Sequence, residues 1–162
     1  MILVVVLGGY AAAALLSEPA GPPVGIAGVV SIRPLSGWVV ADATKGVPAM
    51  TRGSGNLDTT VFFSGFADVQ HLADRYVVML SGKLNQLSVS RELSAIRLSS
   101  SLRGVRFGYI GVDAGTGTSI EGEVTVVATS GHGVVFDGWA PAGLLSFVRS
   151  DIDTMIDRAE IR

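Results

Sequence analysis

Three strand-like runs, Val105–Val112, Glu121–Thr129 and Val134–Trp139, follow one another with only short turn segments between them. Parallel neighbours need a crossover of a dozen or more residues, so runs this close in sequence must pair antiparallel. Ser130-Gly131-His132-Gly133 supplies a short hairpin connection between the last two. Within the first run Val105, Phe107 and Tyr109 point to one face, and Arg106 and Gly108 to the other. A fourth run, Glu92–Leu98, precedes them. Further upstream, Val29–Pro34, Trp38–Ala41, Ala49–Arg52 and Leu57–Phe63 read as strands, with a turn at Gly53-Ser54-Gly55-Asn56.

Two stretches have a helical period instead. Val69, Leu72, Tyr76, Met79, Leu80, Leu84 and Leu87 recur at three- and four-residue steps. They predict an amphipathic helix of about four or five turns, with Asp68 as its N-cap or first-turn acid. Leu144, Leu145, Val148, Ile152, Met155 and Ile156 predict a second helix, with Pro141 at its first position, and Ala159–Ile161 a last short strand. The expected fold class is α+β: a mainly antiparallel sheet flanked by two amphipathic helices.

This domain is preceded by an apolar segment, expected to be an N-terminal apolar helix. Met1–Leu16 reads MILVVVLGGYAAAALL, and the only charge before Arg33 is Glu18. Sixteen residues make about 24 Å of helix, a little short of the ~20 residues that span a bilayer core. No Lys or Arg opens the segment, as a secretory signal requires. Gly8 and Gly9 are costly in a buried core helix. A membrane anchor, a cleaved signal and a core helix are the three readings, and the anchor fits the pattern best. The expected organisation is a membrane anchor or signal-like segment over 1–17, a Pro/Gly-rich spacer over 18–28, and the α+β domain over 29–162.

Composition removes several functions. With 48% hydrophobic residues and a net charge of −2, the chain can bury a core and has no basic excess for general nucleic-acid binding. It has no Cys, so disulfides, thiolate metal sites and thiol nucleophiles are excluded. The near-neutral total conceals two halves: residues 33–106 hold nine basic and five acidic side chains, and residues 107–162 three basic and eight acidic.

The segments SIRPLSGW, LDTTVFFSG and VVFDGWAPAGLLSFVRSDIDTMIDRAEI resemble, in pattern and order, the PsbP/Mog1-like fold. The likeness covers residues 29–162 and is nearest to small actinobacterial membrane-anchored or lipoprotein versions. It implies an antiparallel sheet flanked by helices, in a group whose members mostly bind proteins or assist larger complexes. It carries no site motif and therefore no functional residue.

No catalytic constellation is read from the residues, and no metal or cofactor is expected. His71 and Asp74 are spaced to share a helix face, and His132 sits in a glycine-flanked turn beside Ser130. G-x-S-x-G is absent, and Asp113-Ala-Gly115-Thr-Gly117-Thr lacks the lysine and spacing of a phosphate loop. Asp151, Asp153 and Asp157 lack the glycine turn and bidentate Glu of a calcium loop.

The charge pattern says more. Arg91, Arg97, Arg103 and Arg106 cluster around the strands after the first helix, and Glu121 and Glu123 open the next strand. One reading is cross-strand pairing within the sheet, and the other is a surface for a protein partner or an anionic headgroup. Trp38, Phe66 and Trp139 are either core or part of that patch. The function expected is non-catalytic: an extracytoplasmic domain on a single-pass cell-membrane anchor, binding a protein or supporting a membrane complex, with no nucleic acid. A carrier of a lipid or small apolar ligand is the alternative, and a hydrolase the third.

Overall fold

The computed structural model describes residues 18–41, 49–90 and 93–162. The apolar segment 1–17 and Arg91 lie outside the described residues. No helix among the described residues is long and apolar enough to cross a membrane.

The centre of the molecule is β10, Gly133–Pro141, which pairs antiparallel with β9, Ser119–Ala128, and with β5, Gly55–Phe62. Val134, Val135, Phe136 and Ala140 are all fully buried, so this strand is covered on both faces and reads as a nearly continuous apolar run. Outward on one side come β4, Ala49–Arg52, and the two-residue β3, Val39–Val40. On the other side β9 pairs with β8, Arg103–Asp113, whose far edge is shared by β6, Leu84–Val89, and β7, Ser94–Arg97. These eight strands form one antiparallel sheet among the described residues.

Each face of the sheet has its own core. On one face, α1, Val69–Ser81, lays Leu72, Tyr76 and Leu80 against Phe107, Val124, Val126 and Val135. On the other, α2, Arg149–Asp157, sets Ile152, Met155 and Ile156 against Leu57, Val134 and Phe136. A small sheet joins that second core: β1, Val24–Ile26, and β11, Glu160–Ile161, flank β2, Val30–Ile32. The α+β class and the antiparallel sheet with two flanking helices are therefore as expected. β1 is a strand that the Pro- and Gly-rich stretch 18–28 does not announce.

The first helix starts where the sequence places it. Asp68 Oδ1 accepts from the His71 N–H at 2.8 Å, and His71 Nδ1 accepts in return from the Ala67 N–H at 3.1 Å. Each thereby satisfies one backbone donor that the helix start leaves open. Asp68→Ala is expected to cost about 1 kcal/mol, read as a lower urea midpoint at unchanged slope.

Two boundaries differ from expectation. The helix ends at Ser81, with Gly82 as its C-cap, and Leu84–Val89 is a strand rather than the helix's last turns. The cause is a bulge. Between Asn85 and Ser88 the pairing with β8 shifts register, and Gln86 has φ +52°. The extra residue brings Leu84 and Leu87 to the same core although they are three apart, which imitates a helical step. Pro141, expected to open the second helix, instead closes β10 opposite Ile120. Lacking an N–H, proline suits a strand's end as well as a helix's start. A 3₁₀ turn, Leu145–Phe147, intervenes before α2, and Glu121 Oε1 holds the connection by accepting from Gly143 N at 3.0 Å and Leu145 N at 2.9 Å.

Candidate functional site

Three hydroxyl- and carboxyl-bearing residues from three elements meet under α1. Tyr76 Oη of α1 donates to Asp137 Oδ2 and Tyr109 Oη of β8 donates to Asp137 Oδ1, each at 2.9 Å. Asp137 lies in the middle of β10 and is only 4% exposed. Directly opposite in register on β5 stands Asp58, which accepts from the indole Nε1 of Trp139 at 3.0 Å. Side chains of directly opposed residues share a face, so the two carboxyl groups are neighbours.

Burial disfavours the charged forms here. It pushes Asp137 up to about 7, against the two tyrosine donors that pull it down, while the neighbouring Asp58 adds to the rise. Asp58 is raised by burial too, opposed by its bond from Trp139 and by the charge of Lys83. Both tyrosines are pushed far above their ordinary range, first by burial and then by the Asp137 charge. Tyr109 reaches Asp137 by lying across its β9 partner Gly122, where a Cβ would sit 2.3 Å from the ring.

Asp58, Tyr109 and Asp137 line a cavity of about 180 Å³. Leu80, Leu84, Ile120 and the Trp139 ring form its walls, and Lys83 and Asp113 stand at its mouth. Asp113 is held by its own hairpin loop, accepting from the N–H groups of Gly115 and Thr116 and from the Thr116 hydroxyl. Those Thr116 bonds lower its pKa. The sequence reading missed this site. Its one local signal is an acid set inside an apolar strand, at Asp137 in VVFDGWA and at Asp58 in LDTTVFF.

The residues singled out from sequence fall into separate places. Arg97 and Arg103 are exposed and stand directly opposite each other in the β7–β8 pair. Neither side chain has an ion-pair or hydrogen-bond partner among the described residues. Arg106 faces the other side of the sheet, as the alternation of a strand requires. It is half-buried and engaged, with Nη1 3.3 Å from Glu123 Oε1, Nη2 3.0 Å from Asp153 Oδ1, and Nε donating to Thr125 Oγ1 at 3.0 Å. Arg149 of α2 also pairs with Glu123. That network fastens α2 to the sheet.

Trp38 is core, 5% exposed, with its indole N–H on Asp151 Oδ2 at 3.0 Å. Phe66 and Trp139 are half-buried and pack against the core of the α1 face, so the three aromatics do not form one patch.

The three acids of the last helix also diverge. Asp151 takes Trp38 and Arg52, Asp153 takes Arg106, and Asp157 accepts from Ser99 N at 2.8 Å and from the Ser99 hydroxyl. His71 caps α1, and the His132 ring stands edge-on to Phe63 at 5.2 Å. Among the described residues no group of three or more His, Asp or Glu side chains is placed to hold a metal ion.

The fold is PsbP/Mog1-like. Solved structures similar to it include the Saccharomyces cerevisiae Ran-binding protein Mog1p, with TM-score 0.59 and 9% identity over 89% of this chain and 96% of that one. Cyanobacterial PsbP (CyanoP) of Synechocystis sp. PCC 6803 matches with TM-score 0.58 and 14% identity over 82% of this chain and 86% of the other. LpqN, involved in cell envelope biogenesis of Mycobacterium tuberculosis, matches with TM-score 0.57 and 11% identity over 82% of each chain. A Bacteroides thetaiotaomicron protein matches with TM-score 0.58 and 13% identity over 88% of this chain, which spans only 48% of that protein's length. At these identities the likeness is one of fold. No protein-family model matches the chain, and no curated protein matches it by sequence.

Proposed function

We propose that this chain is a non-catalytic binding domain, tethered to the cell membrane by its N-terminal apolar segment and facing the extracytoplasmic side. It recognises an acidic surface of a protein partner through the β7–β8 hairpin. The observation that carries the reading is the Arg97–Arg103 pair. Like charges directly opposite in a sheet are destabilising. Arg106, three residues along β8 and on the opposite face, is neutralised by two acids, whereas this exposed pair has no acidic partner among the described residues and can meet an external anion. The fold supports the reading, since one of its similar structures is a Ran-binding protein. The tether rests on the composition of residues 1–17.

The test is crosslinking in native membranes with the wild-type chain and with Arg97→Glu/Arg103→Glu. The charge reversal is expected to lower recovery of the crosslinked partner at least about tenfold, with stability unchanged within ~0.5 kcal/mol. Equal recovery from both chains, or no partner above background from either, overturns the proposal.

The alternative of an apolar-ligand carrier needs a continuous apolar pocket of ~300–1,000 Å³. The groove between α1 and the β6–β7 edge, about 380 Å³, has the size, but Gln70, Asp74 and Ser90 interrupt Val77, Val89 and Phe107 along it. Protein recognition is the reading we retain.

A further inference from the structure

The proposed tether joins the domain without slack. Residues 18–28 are rich in Pro and Gly, the composition of an extended spacer. The fold holds them instead. Ser36 N donates to Glu18 O at 3.2 Å, Ala20 N donates to Pro34 O at 3.0 Å, and Pro19 between them bridges Leu35. β1 then takes Val24–Ile26 into the small sheet. Only Ser17 stands between Leu16, where the apolar run ends, and Glu18. Two residues reach at most about 7 Å. A domain bonded at Glu18 therefore meets the surface of any bilayer that holds the apolar run.

The surface around that junction suits lipid. Of residues 18–41 only Glu18 and Arg33 are charged, one of each sign. Pro19, Ala20, Pro22 and Pro23 are exposed. After the turn at Ser36-Gly37, β3 carries Val39, 62% exposed, and Val40, 43% exposed. Val39 follows Ser36 by three residues, at most about 11 Å of chain. On the neighbouring β4, Arg52 is engaged by Asp151. Among the described residues β3 is an edge strand of the large sheet, and a bare apolar edge invites aggregation unless something covers it.

We propose that this face, Val39 and Val40 with the prolines of the junction, rests on the lipid bilayer that holds the tether. The inference rests on the tether proposed above and adds to it the orientation of the domain. β7 lies at the opposite edge of the sheet, six strand spacings or about 29 Å from β3. With β3 at the lipid, the Arg97–Arg103 hairpin points away from the membrane, where a partner can reach it.

The chain has no Cys, so Val39→Cys and Ser94→Cys each provide a single site for a nitroxide label. Both positions are exposed. The full chain is reconstituted in phosphatidylcholine vesicles, whose neutral lipid matches the balanced charge of the face. Electron paramagnetic resonance compares each label's collisions with oxygen, which concentrates in lipid, and with a water-soluble nickel chelate. The oxygen-to-nickel ratio is expected to be at least about threefold higher at the Val39 site than at the Ser94 site. Adding Val40→Asp to the Val39→Cys chain is expected to lower that ratio at least about twofold, while the chain still sediments with the vesicles. Equal ratios at the two sites in a chain that sediments with vesicles, or a ratio unmoved by Val40→Asp, overturn the docked face and leave the tether standing. A chain that does not sediment with the vesicles overturns both.

Discussion

Raising the pH from 5 to 8 is expected to destabilise this protein, and Asp137→Asn is expected to remove most of that loss. Asp137 is held at about 7 in the folded state against 3.8 for an ordinary aspartate. Between those values the folded chain keeps a proton that the unfolded chain has released. Stability must then fall as pH rises, and the fall ends once the folded carboxyl has ionised. Between pH 5 and 8 the loss runs over the roughly two units from 5 to about 7, on the order of 3 kcal/mol, a large part of a domain's net stability. Asp58, also raised, adds in the same direction. Asp113, lowered by its turn, acts the opposite way, and its contribution is lost only in more acidic solution. Urea titrations at pH 5 and 8 measure the effect. A wild-type midpoint that does not move, or a variant whose midpoint falls as steeply, contradicts the assignment of the buried proton to Asp137.

Gly122→Val is expected to be the most damaging single substitution at the site. Any Cβ at Gly122 would overlap the Tyr109 ring, with its Cε1, Cζ and Oη at 2.3 to 2.5 Å. The ring is packed between α1 and the sheet, so it can yield only by leaving Asp137. Overpacking of this kind costs about 1–3 kcal/mol. Loss of a buried hydrogen bond to a carboxyl group adds about 1.5–3 kcal/mol. The sum, about 2.5–6 kcal/mol, is readable as a lower denaturation midpoint. Gly108→Ala is the internal control: its Cβ would meet nothing nearer than the Gly122 carbonyl oxygen at 3.7 Å, and it should change stability by less than about 1 kcal/mol. Similar losses from both variants would mean that glycine serves strand geometry generally at these positions, and not the seat of Tyr109.

The sheet was legible wherever strands are long and separated by recognisable turns. β8, β9 and β10 lie within two residues of their expected bounds, and Ala49–Arg52, though weak in pattern, is a strand with those same ends. β6 was illegible because its bulge converts a two-residue period into a three-residue one. β1 is three residues long and hidden among prolines and glycines. Of the arginine cluster, cross-strand pairing describes Arg106 with Glu123, while the Arg97 and Arg103 side chains have no ion-pair partner among the described residues. The acid pair under α1 could not be read from spacing. Asp58 and Asp137 become neighbours only through the β5–β10 register, which the overall burial pattern sets and which no local motif encodes.

The small sheet has a consequence for how the fold can be joined to other polypeptides. β1 and β11 both pair with β2, so the first and last strands of the domain are separated by one intervening strand. Two strand spacings across and two residues along β2, from Ile32 opposite Val24 to Val30 opposite Ile161, make about 12 Å, a gap that a few linking residues can close. Such a unit can be spliced into a loop of a larger polypeptide, or have its order circularly permuted, without rethreading its eight-stranded sheet. The same architecture is accordingly portable between hosts, and it matches 48% of the longer Bacteroides thetaiotaomicron chain.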